Sequence, residues 1–210
     1  MPADGIVEVQ IAGTGGAAAA EHEPGRPVFY YDLASPESWL VAERAHHVLG
    51  VVPVWEPVAL GPPAFRCAAE RDAHLEDLTR ALAAHGLQSP RWPAAWPGEA
   101  RPAMLAATYA QRIGKVVAFS LAAFRQAYAG GRDLGDPETA LIAGAACEIA
   151  PRAILKALET RGVADGLEAA TAAARAAGVA RVPAIGIGAR VFHGCEELDA
   201  AAVAVAEARA

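Results

Sequence analysis

The segment spanning residues 28–49 constrains the fold more than any other part of the chain. Val28 to Tyr31 are β-forming residues, and Ser35 and Pro36 follow after a short turn. Ser35 fits the N-cap of a helix, and Pro36 fits its first position, where a missing N–H breaks no hydrogen bond. Apolar residues then recur with the spacing of one buried helix face, at Val41, Ala42, Ala45, Val48 and Leu49. The sequence therefore predicts a strand that leads into a helix N-terminus, where backbone N–H groups beside the Ser35 hydroxyl favour an anion.

Composition and charge exclude several classes of function. The chain of 210 residues is 54% hydrophobic and 20% charged, which predicts a sizeable core. The formal net charge of −6 argues against nucleic acid or an anionic membrane surface as a partner. No stretch approaches 18 uninterrupted strongly apolar residues, so we expect no transmembrane helix.

The cysteines are few and widely spaced. Cys67, Cys147 and Cys195 form no C-x-x-C pair, which excludes a dithiol mechanism at the Ser35 turn and provides no zinc-ligand spacing. We therefore predict no metal site. An odd, sparse cysteine count suits a reducing compartment, and the first residues lack the basic region of a secretory signal, so we expect a cytoplasmic protein.

The order of predicted elements gives an α/β domain interrupted by helices. Strands are predicted over 28–31, 51–60, 184–187 and 190–192, and helices over 36–49, 167–177 and 196–208. Residues 64–162 are helical in pattern, with breaks at 89–102 and 130–137. We predict a disordered tail over 1–25, an α/β domain from 26–63 and 165–210, and an inserted helical domain over 64–164.

Two motifs resemble a known family. The run Ser35-Pro36-Glu37-Ser38, after Phe29-Tyr30-Tyr31-Asp32, resembles the first βα turn of the DsbA-like branch of the thioredoxin superfamily. Within that branch it is similar to 2-hydroxychromene-2-carboxylate isomerases and kappa-class glutathione transferases, which carry S-P-x-S where disulfide oxidoreductases carry C-x-x-C. Residues 177–188, which contain Val182-Pro183, resemble the segment whose cis-proline packs beside that turn. The resemblance implies a thioredoxin-like fold (βαβ … ββα) with an all-helical insertion.

The resemblance also implies a cofactor and a reaction. In the resembling enzymes the first serine, here Ser35, bonds the sulfur of glutathione, and the backbone at Val182 and Pro183 pairs with its cysteinyl group. Glu196 stands where an acidic residue holds the ammonium group of glutathione. The implied activity is a glutathione-dependent isomerisation of an aromatic acid, and because the resembling enzymes are often dimers we expect a homodimer.

Several residues leave alternatives open. Ser35 is also explained as a plain helix cap, and Pro183 as the start of an edge strand. Glu197 stands where the family has an arginine, so the γ-glutamyl carboxylate would meet a repelling charge that weakens binding by about 1–3 kcal/mol. Cys195 is either a reactive thiol at a helix start or a small residue whose pKa is raised by neighbouring glutamates.

The remaining candidates lie around the predicted cleft. Asp32 either orients a proton or water near the substrate or bonds its own backbone as a turn residue. Trp92 and Trp96 either form an apolar wall over an aromatic substrate or anchor their loop to the helices. Two alternative functions follow: a degenerate thioredoxin-fold binding module without glutathione, and a divergent oxidoreductase that acts through Cys195.

Overall fold

The computed structural model describes residues 26–209, so the tail predicted over residues 1–25 lies outside the described part. The strands are β1 (Val28–Tyr31), β2 (Val54–Pro57), β3 (Ala184–Ile187) and β4 (Arg190–His193). The first four helices are α1 (Pro36–Leu49), α2 (Ala68–Ala84), α3 (Arg101–Arg112) and α4 (Val116–Phe124), and a π-helical turn (Arg125–Ala129) follows α4. The others are α5 (Pro137–Ala146), α6 (Pro151–Glu159), α7 (Arg161–Ala176) and α8 (Leu198–Arg209).

The four strands form one mixed sheet in the order β2-β1-β3-β4. β1 runs parallel to β2, with Val28 opposite Val54, and antiparallel to β3, with Phe29 opposite Ile185. The hairpin of β3 and β4 completes the sheet, and α8 packs against α1 and β3. This arrangement confirms the predicted thioredoxin-like α/β fold with a helical insertion between β2 and the second half of the sheet.

Aromatic side chains of the central strand join the sheet to the inserted helices. Phe29 stacks on Tyr31 with ring centroids 5.3 Å apart, and Trp55 on β2 meets Phe29 edge-on at 5.0 Å. Tyr31 also packs against Phe124 of α4, and its hydroxyl lies 2.6 Å from the Ser120 hydroxyl. One hydrophobic core therefore runs through both parts, and the boundaries 26–63, 64–164 and 165–210 stay a prediction.

Several element boundaries differ from those predicted. β2 is shorter than 51–60 because Pro53 lies just before it and Pro57 ends it, and proline has no N–H for the ladder. α7 begins at Arg161, ahead of the predicted position 167, because packing overrides the low helix propensity of Gly162 and Gly166. α8 begins at Leu198, two residues after its predicted start.

Local start and stop signals are confirmed. Asp136 caps α5 through its carboxylate, which accepts the Glu138 N–H at 2.9 Å. Gly178 follows α7 with a φ of 94°, a left-handed conformation that glycine adopts at helix ends. Over the described residues, no helix has both the length and the apolar character that crossing a membrane requires.

Candidate functional site

The start of α1 holds Ser35 in the predicted capping position. Its backbone is extended (φ −96°, ψ 112°), and its hydroxyl oxygen accepts the Ser38 N–H at 3.2 Å. Pro36 occupies the first turn, and Ser35 is only 1% exposed. The capping interpretation is therefore confirmed, and any role in binding a ligand requires the groups that cover the hydroxyl to move.

A carboxylate accepts a hydrogen bond from the Ser35 hydroxyl. Ser35 Oγ donates to Glu37 Oε2 at 2.9 Å, while Glu37 Oε1 lies 2.8 Å from His74 Nε2 on α2. Sequence reasoning missed both residues. Glu37 is the variable position of the S-P-x-S motif, and nothing in the sequence of α2 indicates that His74 reaches it.

His74 packs against two aromatic rings. Its ring is nearly parallel to that of Trp96, with centroids 6.3 Å apart, and Phe65 lies 5.2 Å away. The Glu37 carboxylate raises the pKa of His74 above its ordinary value, although partial burial acts in the opposite direction. Protonated His74 therefore balances the charge of Glu37 beside Ser35.

The loop between α7 and β3 contains Val182 and Pro183, and we call it the proline loop. Cys195 connects this loop to the start of α1. The Val182–Pro183 peptide is cis, as predicted, and Pro183 O accepts the Gly194 N–H at 2.8 Å. The next residue, Cys195, places its Sγ 3.5 Å from the Glu37 carbonyl oxygen. The structure thus brings Ser35, Pro183 and Cys195 to one corner of the fold, which we call the Ser35 corner.

This corner disfavours a thiolate on Cys195. Burial raises the pKa of the Cys195 thiol to about 12, and the charges of Glu37 and Glu196 add to that effect. Arg44 and Arg181 oppose it only partly. This pKa disfavours the expectation of a reactive Cys195. Of the two neighbouring glutamates expected to raise the pKa, Glu196 contributes, but burial and Glu37 contribute more.

The two glutamates after Cys195 are already paired. Glu196 Oε1 accepts a hydrogen bond from Arg181 Nη2 at 2.7 Å, and this partner lowers the pKa of Glu196. Glu197 Oε2 accepts the His193 N–H at 2.7 Å. Arg181, just before Val182, therefore places a cation beside Glu196. Sequence reasoning did not predict a cation at this position.

Asp32 is tied to the backbone on both sides. It is 3% exposed, and its Oδ1 and Oδ2 accept the N–H groups of Ala34 at 2.9 Å and Gly61 at 2.7 Å. Burial raises the pKa of Asp32 despite these hydrogen bonds. The turn interpretation is confirmed, and the geometry disfavours the predicted contact with substrate because both oxygens are already occupied.

The two tryptophans of the loop before α3 have different surroundings. Trp96 is buried, and its Nε1 donates to Ala34 O at 2.9 Å, so it anchors the loop to the turn after β1. Trp92 packs edge-on against Tyr128 and lines an open groove of about 580 Å³ beside α2. The wall predicted for an aromatic substrate stays a prediction.

Comparison with known proteins places this geometry in a family. Residues 28–206 match the DSBA-like thioredoxin domain. A search of curated proteins finds no significant match. Among solved structures, 2-hydroxychromene-2-carboxylate isomerase is similar, with a TM-score of 0.76 and 18% identity over 86% of this chain and 94% of that chain.

Two disulfide-exchange proteins are also similar in structure. A probable DsbA oxidoreductase from Streptomyces coelicolor gives a TM-score of 0.75 at 18% identity, covering 88% of this chain and 90% of that one. The cytosolic disulfide reductase DsbM from Pseudomonas aeruginosa, solved with GSH, gives 0.61 at 16% identity, covering 88% and 97%. At these identities the likeness shows the fold alone. Because the family match spans nearly the whole described chain, the protein belongs to the family of DSBA-like thioredoxin domains.

Proposed function

We propose that the protein is a thiol-dependent isomerase or transferase of the 2-hydroxychromene-2-carboxylate isomerase type, with glutathione as the first candidate thiol. One observation carries the proposal: Ser35 caps α1 at the position of the first cysteine of C-x-x-C, in the same corner as Val182 and Pro183. A serine there supplies a hydroxyl but no sulfur, so the thiol must come from a bound cofactor. The structural likeness to an isomerase of this type supports the proposal.

The chemistry needs only a thiolate that adds and leaves. The thiolate sulfur attacks an electrophilic carbon of an unsaturated aromatic acid, forming a C–S bond and converting the adjacent double bond to a single bond. Rotation follows, the C–S bond breaks, and the double bond re-forms with the thiolate restored. In this scheme the Ser35 hydroxyl turns from Glu37 Oε2 to donate a hydrogen bond to the thiolate sulfur, and the N-terminus of α1 favours the negative charge.

Charges at the Ser35 corner fit the ends of a γ-glutamyl group. Glu196 suits the ammonium group, and Arg181, 2.7 Å from Glu196, supplies a cation for the carboxylate that Glu197 would repel. Both side chains are exposed, which leaves them free to exchange one partner for another. A cytoplasmic location, where glutathione is reduced, and a homodimer belong to this proposal.

A second candidate function is a thioredoxin-fold binding module without a thiol cofactor. The observation that favours it is the raised pKa of Cys195, because the corner holds the chain's own thiol in its protonated form. A corner with that preference suits a neutral ligand or a cation better than a thiolate.

Calorimetric titration with reduced glutathione tests the proposal and separates the two candidates. We expect wild-type protein to bind in the millimolar range or tighter, and Ser35→Ala to bind about tenfold more weakly. Asp136→Ala is the matched control, since it also removes an N-cap side chain, from α5, and should leave affinity unchanged. Absence of heat with wild-type protein, or equal affinity in Ser35→Ala, would favour the binding module.

A further inference from the structure

Helix α2 is only loosely attached to the rest of the molecule. Of its 17 residues, Leu78 and Leu82 alone are buried. Its flank carrying Leu75 and Thr79 borders the open groove of about 580 Å³, with Trp92 on the other side. Few buried apolar contacts are typical of elements that open at low free-energy cost.

One polar contact joins α2 to the α/β part. Within the described residues, the other ion pairs of α2 are local and link residues of this helix or its start: Arg66 with Glu70, Arg71 with Asp72, and Arg80 with Asp77. His74 is the exception, with its Nε2 2.8 Å from Glu37 Oε1. Both side chains of this pair are more than two-thirds covered, so solvent screens it less than the local pairs.

The same carboxylate also holds Ser35. Glu37 Oε2 accepts a hydrogen bond from Ser35 Oγ at 2.9 Å, and Ser35 is 1% exposed. Phe65 lies between β2 and α2, and its ring and that of His74 pack together and against Trp96. The Glu37 side chain therefore contacts both α2, through His74, and the Ser35 hydroxyl.

We infer that Glu37 and His74 form a pH-sensitive latch, which holds α2 over the Ser35 corner and keeps the Ser35 hydroxyl hydrogen-bonded to Glu37 until His74 loses its proton to solvent. The latch goes beyond the proposed function, because it controls access to Ser35 whichever ligand binds there.

The surrounding charges determine whether the latch opens as pH rises or as it falls. The groups that face the pair or the corner are Asp77 on α2, Arg44 on α1, and Cys195, Glu196 and Arg181 beside the proline loop. Glu37 and Asp77 raise the pKa of His74, and partial burial lowers it; the close contact of His74 Nε2 with the Glu37 carboxylate is the largest effect. The folded-state pKa lies above the ordinary value of 6.5, so the latch is closed below about pH 6.5 and opens as pH rises through the raised pKa.

Hydrogen exchange of the α2 amides, without glutathione, tests the latch independently of the proposed function. After correction for intrinsic rates, we expect wild-type α2 to exchange about three- to tenfold more slowly near pH 6 than near pH 8.5, with α5 as internal reference. His74→Gln should give the faster rate at both pH values. His74→Lys keeps a cation that does not titrate in this range and should give the slower rate at both.

A matched variant separates the latch from any general loosening. Arg125→Gln breaks another pair with α1, Arg125 Nη2 to Glu43 Oε2 at 2.7 Å, and should leave α2 exchange unchanged. Equal corrected rates at the two pH values in wild-type protein would overturn the inference. So would a pH dependence that persists in His74→Gln.

Discussion

Replacing Asp32 tests whether this carboxylate fastens the turn after β1 to the end of β2. Its two oxygens accept the N–H groups of Ala34 and Gly61, and the side chain is 3% exposed. Asp32→Ala leaves both donors without a partner in a site closed to water, and each costs about 1–3 kcal/mol. We expect a loss of about 3–4 kcal/mol in the free energy of unfolding, or about 6–16 °C in Tm.

Asp32→Asn separates the hydrogen bonds from the charge. The amide oxygen replaces one acceptor, but the NH2 group then faces the other backbone N–H, so we expect a loss of about 2 kcal/mol near neutral pH. Burial raises the pKa of Asp32 in the folded state, so stability is lost as pH rises through that pKa. Asparagine does not titrate, and Asp32→Asn should therefore lose this part of the pH dependence.

The assay is equilibrium urea unfolding across a pH series, with Asp133→Ala as the matched control. Asp133 Oδ1 accepts the Gly135 N–H at 2.8 Å with the same two-residue spacing, but the bond is exposed. Water can replace that acceptor, so the control should lose less than about 1 kcal/mol. An Asp32→Ala loss no larger than the control, or a more stable Asp32→Asn, would mean that burying the charge costs more than its hydrogen bonds contribute, which would refute the reasoning.

Three further predictions concern the Ser35 corner and its anchor. Trp96→Phe removes the hydrogen bond to the buried Ala34 carbonyl and should lower the free energy of unfolding by about 1–3 kcal/mol in urea, whereas no loss would show that the indole N–H is not needed. Iodoacetamide near pH 8 should alkylate exposed Cys67 long before Cys195, since a thiol with a pKa of about 12 is only about 10⁻⁴ ionised at that pH. Equal alkylation rates of the two cysteines, measured by mass spectrometry, would contradict the raised pKa of Cys195. Glu197→Arg should strengthen glutathione binding about fivefold or more in calorimetry, and unchanged affinity would mean that this side chain does not face the γ-glutamyl carboxylate.

Features that depend on neighbouring residues in the chain were predictable from the sequence. The start of α1 follows from Ser35 and Pro36, because a hydroxyl cap and a proline in the first turn suit a helix start whatever surrounds it. The cap at Asp136 and the stop at Gly178 follow in the same way. The overall fold came from the resemblance of two motifs, since periodicity alone predicts only an α/β domain with a helical lobe.

Contacts between distant segments could not be predicted. The pair of Glu37 and His74 joins residues from two parts of the chain. Glu37 occupies the variable position of the S-P-x-S motif, and His74 belongs to no motif. The hydrogen bond from the Gly61 N–H to Asp32 depends on the parallel pairing of β1 with β2, because that pairing places the ends of the two strands side by side. Nothing in the sequence indicates that Arg181 faces Glu196, and only the folded loop brings the two side chains together.

The charge preference of the Ser35 corner is the clearest case in which local reasoning and structure disagree. A helix N-terminus favours an anion by about 0.3–1 kcal/mol when exposed, and on that ground the sequence predicts an anion site, for which the family resemblance implies a thiolate. Cys195 lies at that N-terminus, with its Sγ 3.5 Å from the Glu37 carbonyl oxygen, yet its pKa is raised to about 12. Burial is the largest cause of the raised pKa, and the carboxylates of Glu37 and Glu196 add to it. A bound thiolate would need the Arg181 cation as well as the hydroxyl of Ser35. Whether this corner accepts an anion therefore depends on Arg181 exchanging its Glu196 partner and on the Glu37–His74 latch opening.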